Sequence, residues 1–367
     1  MSKSTRTALS IVAIVLLLGS TIGLILTLAA GGSGESGEAE LEVQVITREE
    51  IVTAAYKAYG DDQQNLWAAK TIVKNVGDTP VKDFRIDYKV EGYCDWTSAE
   101  VYPEILPGQT VRDYCWPNLD DAKMKEVTSK TPVELTVRYS YEGLSEPIQD
   151  QEKIYLLGRN DFVFSNLEED DILTFTDAFD NYPIIAAFVT PNEETVKSVA
   201  NTMAGGLETG MNDDDVYAAF IRCFDGMRAL GVKYIQEPSS YWSDRAAQYV
   251  QYPAETLNRA SGTCLDLAIC MAALMEAVGI KSYVALIPGH AIPIIELPNS
   301  GEWYAIESTF IDQDYALSHF PGETSPEVTA QECINMAADE INTAMDEGSF
   351  ILIDIEQSWE QGVMPIW

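Results

Sequence analysis

The balance of hydrophobic and polar positions changes character along the chain. Residues 8–30, ALSIVAIVLLLGSTIGLILTLAA, form an unbroken apolar and small-residue run behind Lys3 and Arg6. Such a run is long enough to cross a bilayer as a helix, so residues 1–30 are expected to be a membrane anchor. The alternative is a cleaved secretory signal, for which TLAA offers small residues. Either reading exports the remainder, with the positive end inside and residues 35–367 on the extracellular side. Residues 31–40, GGSGESGEAE, read as a flexible linker.

Between 41 and 157 apolar and polar residues alternate, as in LWAAKTIVKN and VKDFRIDYKVEGY around the turn signal VGDTP. That period predicts strands, and their number and length predict a small immunoglobulin-like β-sandwich. Trp67, Phe84, Tyr88 and Tyr139 are its expected core. Residues 158–190 connect it to a second domain.

From 191 to 367 the period lengthens to that of helices. One is expected to open with Thr190 as cap and Pro191 first. Another runs from Asn212 to Gly231, and a short one opens at Pro253. In SGTCLDLAICMAALMEAVGI, residues 261–280, Thr263 and Asp266 form a capping box and Gly279 ends the helix. This helix is apolar on nearly every side, which places it centrally. Three β-runs come next, IKSYVALIPG, HAIPIIEL and EWYAIESTF, the last two joined by PNSG as a hairpin. A helix opened by Ser325 and Pro326 and a strand, SFILIDI, complete the chain. The fold class is therefore α+β.

Charge narrows the partners. With 58 acids against 23 bases the net charge is −35, so nucleic acid is excluded by repulsion from its phosphates. The acids are spread along the chain and read as a solvated surface. The acidic runs at 168–171 and 213–215 lack calcium-loop spacing, so no metal is assigned. No phosphate-binding glycine loop occurs, and no cofactor is expected. In an exported domain Cys94 and Cys115 can form a disulfide; free buried thiols are the alternative. Cys223, Cys270 and Cys333 read as packing residues.

Cys264 differs from these. The capping box makes it the first helical residue, where the partial positive charge of the helix start favours a thiolate. The chain has two histidines, His290 and His319. His319 lies in a turn-rich stretch and reads as an exposed bystander. Folding the hairpin about Asn299–Ser300 puts His290 and Glu307 on one face as diagonal neighbours, about 7 Å apart; a slip by two makes them directly opposite, and a slip by one puts them on opposite faces. A thiol at a buried helix start, a histidine at a strand end and a carboxylate on the next strand make a nucleophile, a base and its orienter. Gln251, upstream of Cys264, is a candidate oxyanion donor; the alternative is a surface glutamine.

GTCLDLAICMAALMEAVGI, PGHA and WYAIEST, in this order and spacing, resemble the core of the transglutaminase-like superfamily, which shares the papain-type arrangement. The resemblance spans roughly residues 230–310 and implies a prokaryotic, membrane-anchored member. It departs at Glu307, where aspartate is usual; glutamate can accept the same imidazole N–H from a strand set slightly farther back. The resemblance implies an exported, membrane-tethered hydrolase or acyltransferase acting on protein or peptide amide bonds through Cys264, His290 and Glu307. The alternative is a catalytically silent envelope protein that uses the same fold as a binding module. The sequence leaves open whether the acyl group passes to water or to an amine.

Overall fold

The computed structural model describes residues 12–14, 25–29, 40–60, 66–165, 167, 169–205, 211–236, 247–319 and 327–366. It divides into two compact units, Met1–Arg159 and Asn160–Trp367. The expected connecting segment from 158 therefore falls almost wholly in the second.

The first unit holds two five-stranded sheets. One takes β1 (Val12–Ile14), β2 (Ile25–Ala29), β3 (Glu40–Thr47), β5 (Ala69–Asn75) and β8 (Thr110–Cys115), in that order and antiparallel throughout. The other takes β4 (Glu50–Ile51), β10 (Ile148–Leu156), β9 (Thr131–Ser140), β6 (Val81–Val90) and β7 (Glu100–Ile105). A short helix, α1 (Asp121–Lys125), comes after β8. Alternate residues form the core, with Leu41, Val43 and Val45 on β3 and Leu135, Val137 and Tyr139 on β9 all buried. In β6, Asp83 has a φ of 50° and faces Pro103 of β7, where the pairing is interrupted without a change of register.

Two expectations for this unit are corrected. The described residues of the 8–30 run are strands, not a transmembrane helix: β1 pairs with β2, and β2 continues onto β3. No helix among the described residues is long and apolar enough to cross a membrane. The run is rich in β-branched residues, which suit a pleated strand as well as an apolar helix. The second correction is the disulfide, since Cys94 and Cys115 are both buried free thiols. The Cys94 Sγ donates instead to the Asp95 carbonyl at 3.1 Å.

The second unit is α+β. Short pairings join β11 (Asp161–Phe162) to β13 (Gln248–Tyr249) and β12 (Lys233–Tyr234) to β14 (Ser261–Gly262). The main sheet is antiparallel, in the order β17 (Trp303–Ala305), β16 (His290–Glu296), β15 (Ser282–Ile287), β18 (Ile351–Asp354). β16 pairs Ile294 with Ala305 and Glu296 with Trp303, the register that a turn at 299–300 sets. Asp213 secures that turn by accepting from the Asn299 and Ser300 N–H groups at 2.8 and 3.1 Å.

The helices are α2 (Glu194–Ala204), α3 (Asp213–Ala229), α4 (Pro253–Arg259), α5 (Cys264–Glu276), α6 (Gln313–His319), α7 (Ala330–Asp346) and α8 (Ile355–Glu360). α5 packs on β15 and β16, and every residue from Cys264 to Met275 is buried. Ala337 and Ala344 of α7 pack with Tyr283, Ala285, Ile292 and Ile294 of the sheet. Two expected helix starts move. α2 begins at Glu194, because Glu193 rather than Thr190 caps it, accepting from Val196 N–H at 3.1 Å. α7 begins at Ala330 with a Thr329–Glu332 capping box; Ser325 and Pro326 lie outside the described residues.

Candidate active site

Three local structures bring the site together. The first is the start of α5. Thr263 Oγ1 accepts from Asp266 N–H at 3.3 Å and Asp266 Oδ2 accepts from Thr263 N–H at 3.0 Å. The N–H groups of Cys264 and Leu265 lie outside this reciprocal pair and ahead of the first intrahelical bond, from Leu267 to Thr263. Cys264 is 6% exposed.

The second is the hairpin. β16 begins at His290, and the chain leaves β17 after Ala305 into a turn of 3₁₀ helix, Ser308–Ile311, for which Glu307 is the cap. Glu307 Oε1 accepts from the Thr309 N–H at 2.9 Å and from the Thr309 hydroxyl. Its Oε2 accepts from His290 Nε2 at 2.7 Å. Nδ1 is the ring nitrogen that this bond does not engage, and the Cys264 thiol is among the groups that act on the imidazole. Around this turn, Arg228 donates to the Phe310 carbonyl at 2.9 Å, and Lys233 pairs with Asp312 at 2.9 Å.

Electrostatics follow from this geometry. Burial favours the neutral form of His290, but the Glu307 charge and the hydrogen bonds to Cys264 and Glu307 outweigh it and hold the imidazole well above its ordinary pKa. Burial likewise works against ionised Glu307. The His290 charge and the donors from His290 and Thr309 nevertheless keep its carboxyl below the usual range.

The third structure is α7, which contributes a group that no local sequence signal marks. Glu340 is brought toward the pair by the packing of α7 on the sheet. The ligating atoms of His290, Glu307 and Glu340 all lie within 4.8 Å of one another. Burial first, and then the Glu307 charge, push the Glu340 carboxyl up to about 7. Its Oε2 is enclosed without a hydrogen-bonding partner. These three groups could face one cation. However, the 2.7 Å between His290 and Glu307 is shorter than the ~3.3 Å between neighbouring ligands of a tetrahedral zinc ion. An ion would have to part them.

A cleft of about 610 Å³ opens on the pair. His290, Glu307, Tyr315, His319 and Glu340 line it, and no lysine or arginine does among the described residues. His319 is exposed, as expected, and packs on Phe310 and Tyr315 in the cleft wall. Cys264 does not line the cleft.

Gln251 is placed differently from expectation. Its Nε2 donates to Asp266 Oδ2 at 2.9 Å and to the Ser261 carbonyl at 3.2 Å, and its N–H to Asp266 Oδ1 at 2.7 Å. Both side-chain N–H bonds are therefore committed to the scaffold, and neither is free for an oxyanion. Asp266 is the centre of this scaffold, which ties the 251 segment to the start of α5. A capping residue buried to 1% exposure carries more than a cap.

No family model matches the chain, and no curated protein matches it. Among solved structures, a match is the crystal structure of a "putative protease" from Parabacteroides distasonis ATCC 8503. It is 10% identical with a TM-score of 0.23, covering 74% of this chain and 67% of that one. Similarity at this level carries no argument about fold or chemistry.

Proposed function

We propose that the chain is a cysteine-dependent hydrolase or acyltransferase of protein or peptide amide bonds, with Cys264 as nucleophile, His290 as acid–base and Glu307 as orienter. The observation that carries this is the 2.7 Å His290–Glu307 bond, with a thiol at a helix start near enough to act on the imidazole. The resemblance to the transglutaminase-like superfamily supports the same roles.

The steps balance. The thiol proton passes to His290 Nδ1. The thiolate sulfur attacks the amide carbon, forming the C–S bond and an oxyanion. The N–H groups of Cys264 and Leu265 are available to hold that oxyanion. Collapse breaks the C–N bond, and His290 returns the proton to the leaving amine. The thioester is then opened by water or by a second amine, which gives up a proton to His290 and regenerates the thiol. Glu307 holds the imidazole and stabilises its cationic form throughout.

One observation favours a second reading. Cys264 is almost closed off and does not line the cleft, as suits a silent binding module. Alkylation with iodoacetamide across pH 5–9, with mapping of the modified cysteine, separates the two. An enzyme's Cys264 reacts first and well below pH 8. A Cys264 that labels no faster than Cys270, which is fully buried and has its thiol pKa pushed up by that burial, overturns the catalytic reading.

A further inference from the structure

The first unit carries a cavity of its own, of about 720 Å³. It opens between β7 and β8, the edge strands of the two sheets. Its lining combines aromatic rings, among them Trp96, Tyr102 and Tyr114, with three carboxylates, Asp95, Glu100 and Asp113, against a single arginine, Arg112.

Asp113 is the unusual member. It is 6% exposed, and its Oδ1 accepts from the Tyr102 hydroxyl at 3.0 Å. No cation pairs with it among the described residues. Burial holds its carboxyl above the ordinary range against the hydroxyls of Tyr88 and Tyr102, and Glu100 adds to the rise. A buried anion whose neighbours include other anions favours a positive ligand.

The same wall already handles one cation. The Arg138 guanidinium lies 3.9 Å from the Trp96 ring centroid while its Nε donates to Asp87 at 2.9 Å. Aromatic face and carboxylate together make a favourable setting for an organic cation. A metal ion fits less well, because these carboxylates are not gathered within ligating distance of one another. A saccharide would need donors as well as acceptors, and the charged groups here are mostly acceptors.

We propose that this cavity binds a basic side chain of a peptide or protein, lysine or arginine, with Asp113 as counter-ion and the Trp96, Tyr102 and Tyr114 rings as walls. The inference is independent of the catalytic reading.

Calorimetric titration of the full chain with the N-acetyl methylamides of lysine, arginine and norleucine tests it. The two basic probes should bind and norleucine should not, and affinity should fall as salt is added. Asp113→Asn should weaken lysine binding by about tenfold or more, since it removes the buried partner of the charge. Glu100→Gln, at an exposed position, should weaken it by about two- to threefold. Glu340→Gln, in the other unit, should leave it unchanged. If Asp113→Asn fails to fold, Glu100→Gln and the salt dependence decide. Equal binding of norleucine, no binding of the basic probes at millimolar concentration, or loss of binding in Glu340→Gln each overturns the proposal.

Discussion

Glu307 serves two partners with two oxygens, and this allows its effects to be separated. Glu307→Gln keeps a side-chain oxygen for the Thr309 N–H and hydroxyl, so the turn over 308–311 should survive. It removes the charge that opposes the effect of burial on His290. His290 should then lose its proton at lower pH, and the thiolate–imidazolium pair should be less populated at neutrality. The alkylation rate of Cys264 at pH 7 should fall by roughly tenfold for each unit of pKa that His290 loses. An unchanged rate–pH profile would show that Glu307 is only a turn cap. Glu340 gives a second test. Its folded pKa, about 7, lies above that of an ordinary glutamate. Such a group costs nothing below the unfolded pKa, near 4.3, and stability is lost as pH rises through about 7. Glu340→Gln should therefore match the parent near pH 4 in denaturant unfolding and exceed it above pH 7. Glu276, also pushed up to about 7 by burial, retains its own slope in both proteins, so only the difference between them reports on Glu340.

Helix α5 is the element on which the site depends, and its start is more crowded than its motif suggests. A Cβ on Gly262 would meet the Asp266 Cβ at 2.8 Å and the Thr256 Cγ2 at 3.3 Å. Gly262→Ala should cost about 1–3 kcal/mol in chemical denaturation, as overpacking does. It should also slow Cys264 alkylation by displacing the cap. Two residues earlier, Ala260 adopts a φ of 49°, in the left-handed region. There glycine relieves a strain of about 1–2 kcal/mol at some cost in chain entropy, so Ala260→Gly should be neutral or stabilising. A marked loss of stability would show that the Ala260 methyl makes a contact worth more than the strain. The capping box and the hairpin register are legible in the sequence because both are local. Thr263 and Asp266 are three positions apart, and the hairpin register brings the chain near His290, although it leaves β17 at Ala305 and Glu307 reaches the imidazole as the cap of the 3₁₀ turn. Glu340 is not legible, because only the packing of α7 across the sheet brings it to the pair. Nor is the role of Gln251: its distance from Cys264 along the chain says nothing about Asp266 taking both its backbone and side-chain N–H groups. The apolar run at 8–30 reads as a helix because hydropathy alone does not separate an apolar strand, as at 12–14 and 25–29, from a spanning helix. Its pairing partner, β3, lies beyond the linker.

On the scale of the whole molecule, the division at 159–160 places every group of the proposed triad, its scaffold and its cleft in one unit. Cys264, Asp266 and Gln251 lie on one stretch of chain, while His290, Glu307 and Glu340 come from the hairpin and α7 behind it. The central helix, the four-stranded sheet and α7 all belong to residues 160–367. A fragment of those residues should therefore fold alone and keep the selective alkylation of Cys264 over Cys270. Its thermal stability should rise with added salt, because residues 160–367 carry 34 acids against 7 bases, and salt screens the self-repulsion of that net charge of −27. The measurement is the ratio of the two labelling rates in fragment and full chain under the same conditions. Equal ratios would locate the reactive thiol and everything that activates it in the second unit. A fragment that folds by circular dichroism but labels Cys264 no faster than Cys270 would mean that the first unit supplies a group to the site, and the triad would then be an incomplete description of it.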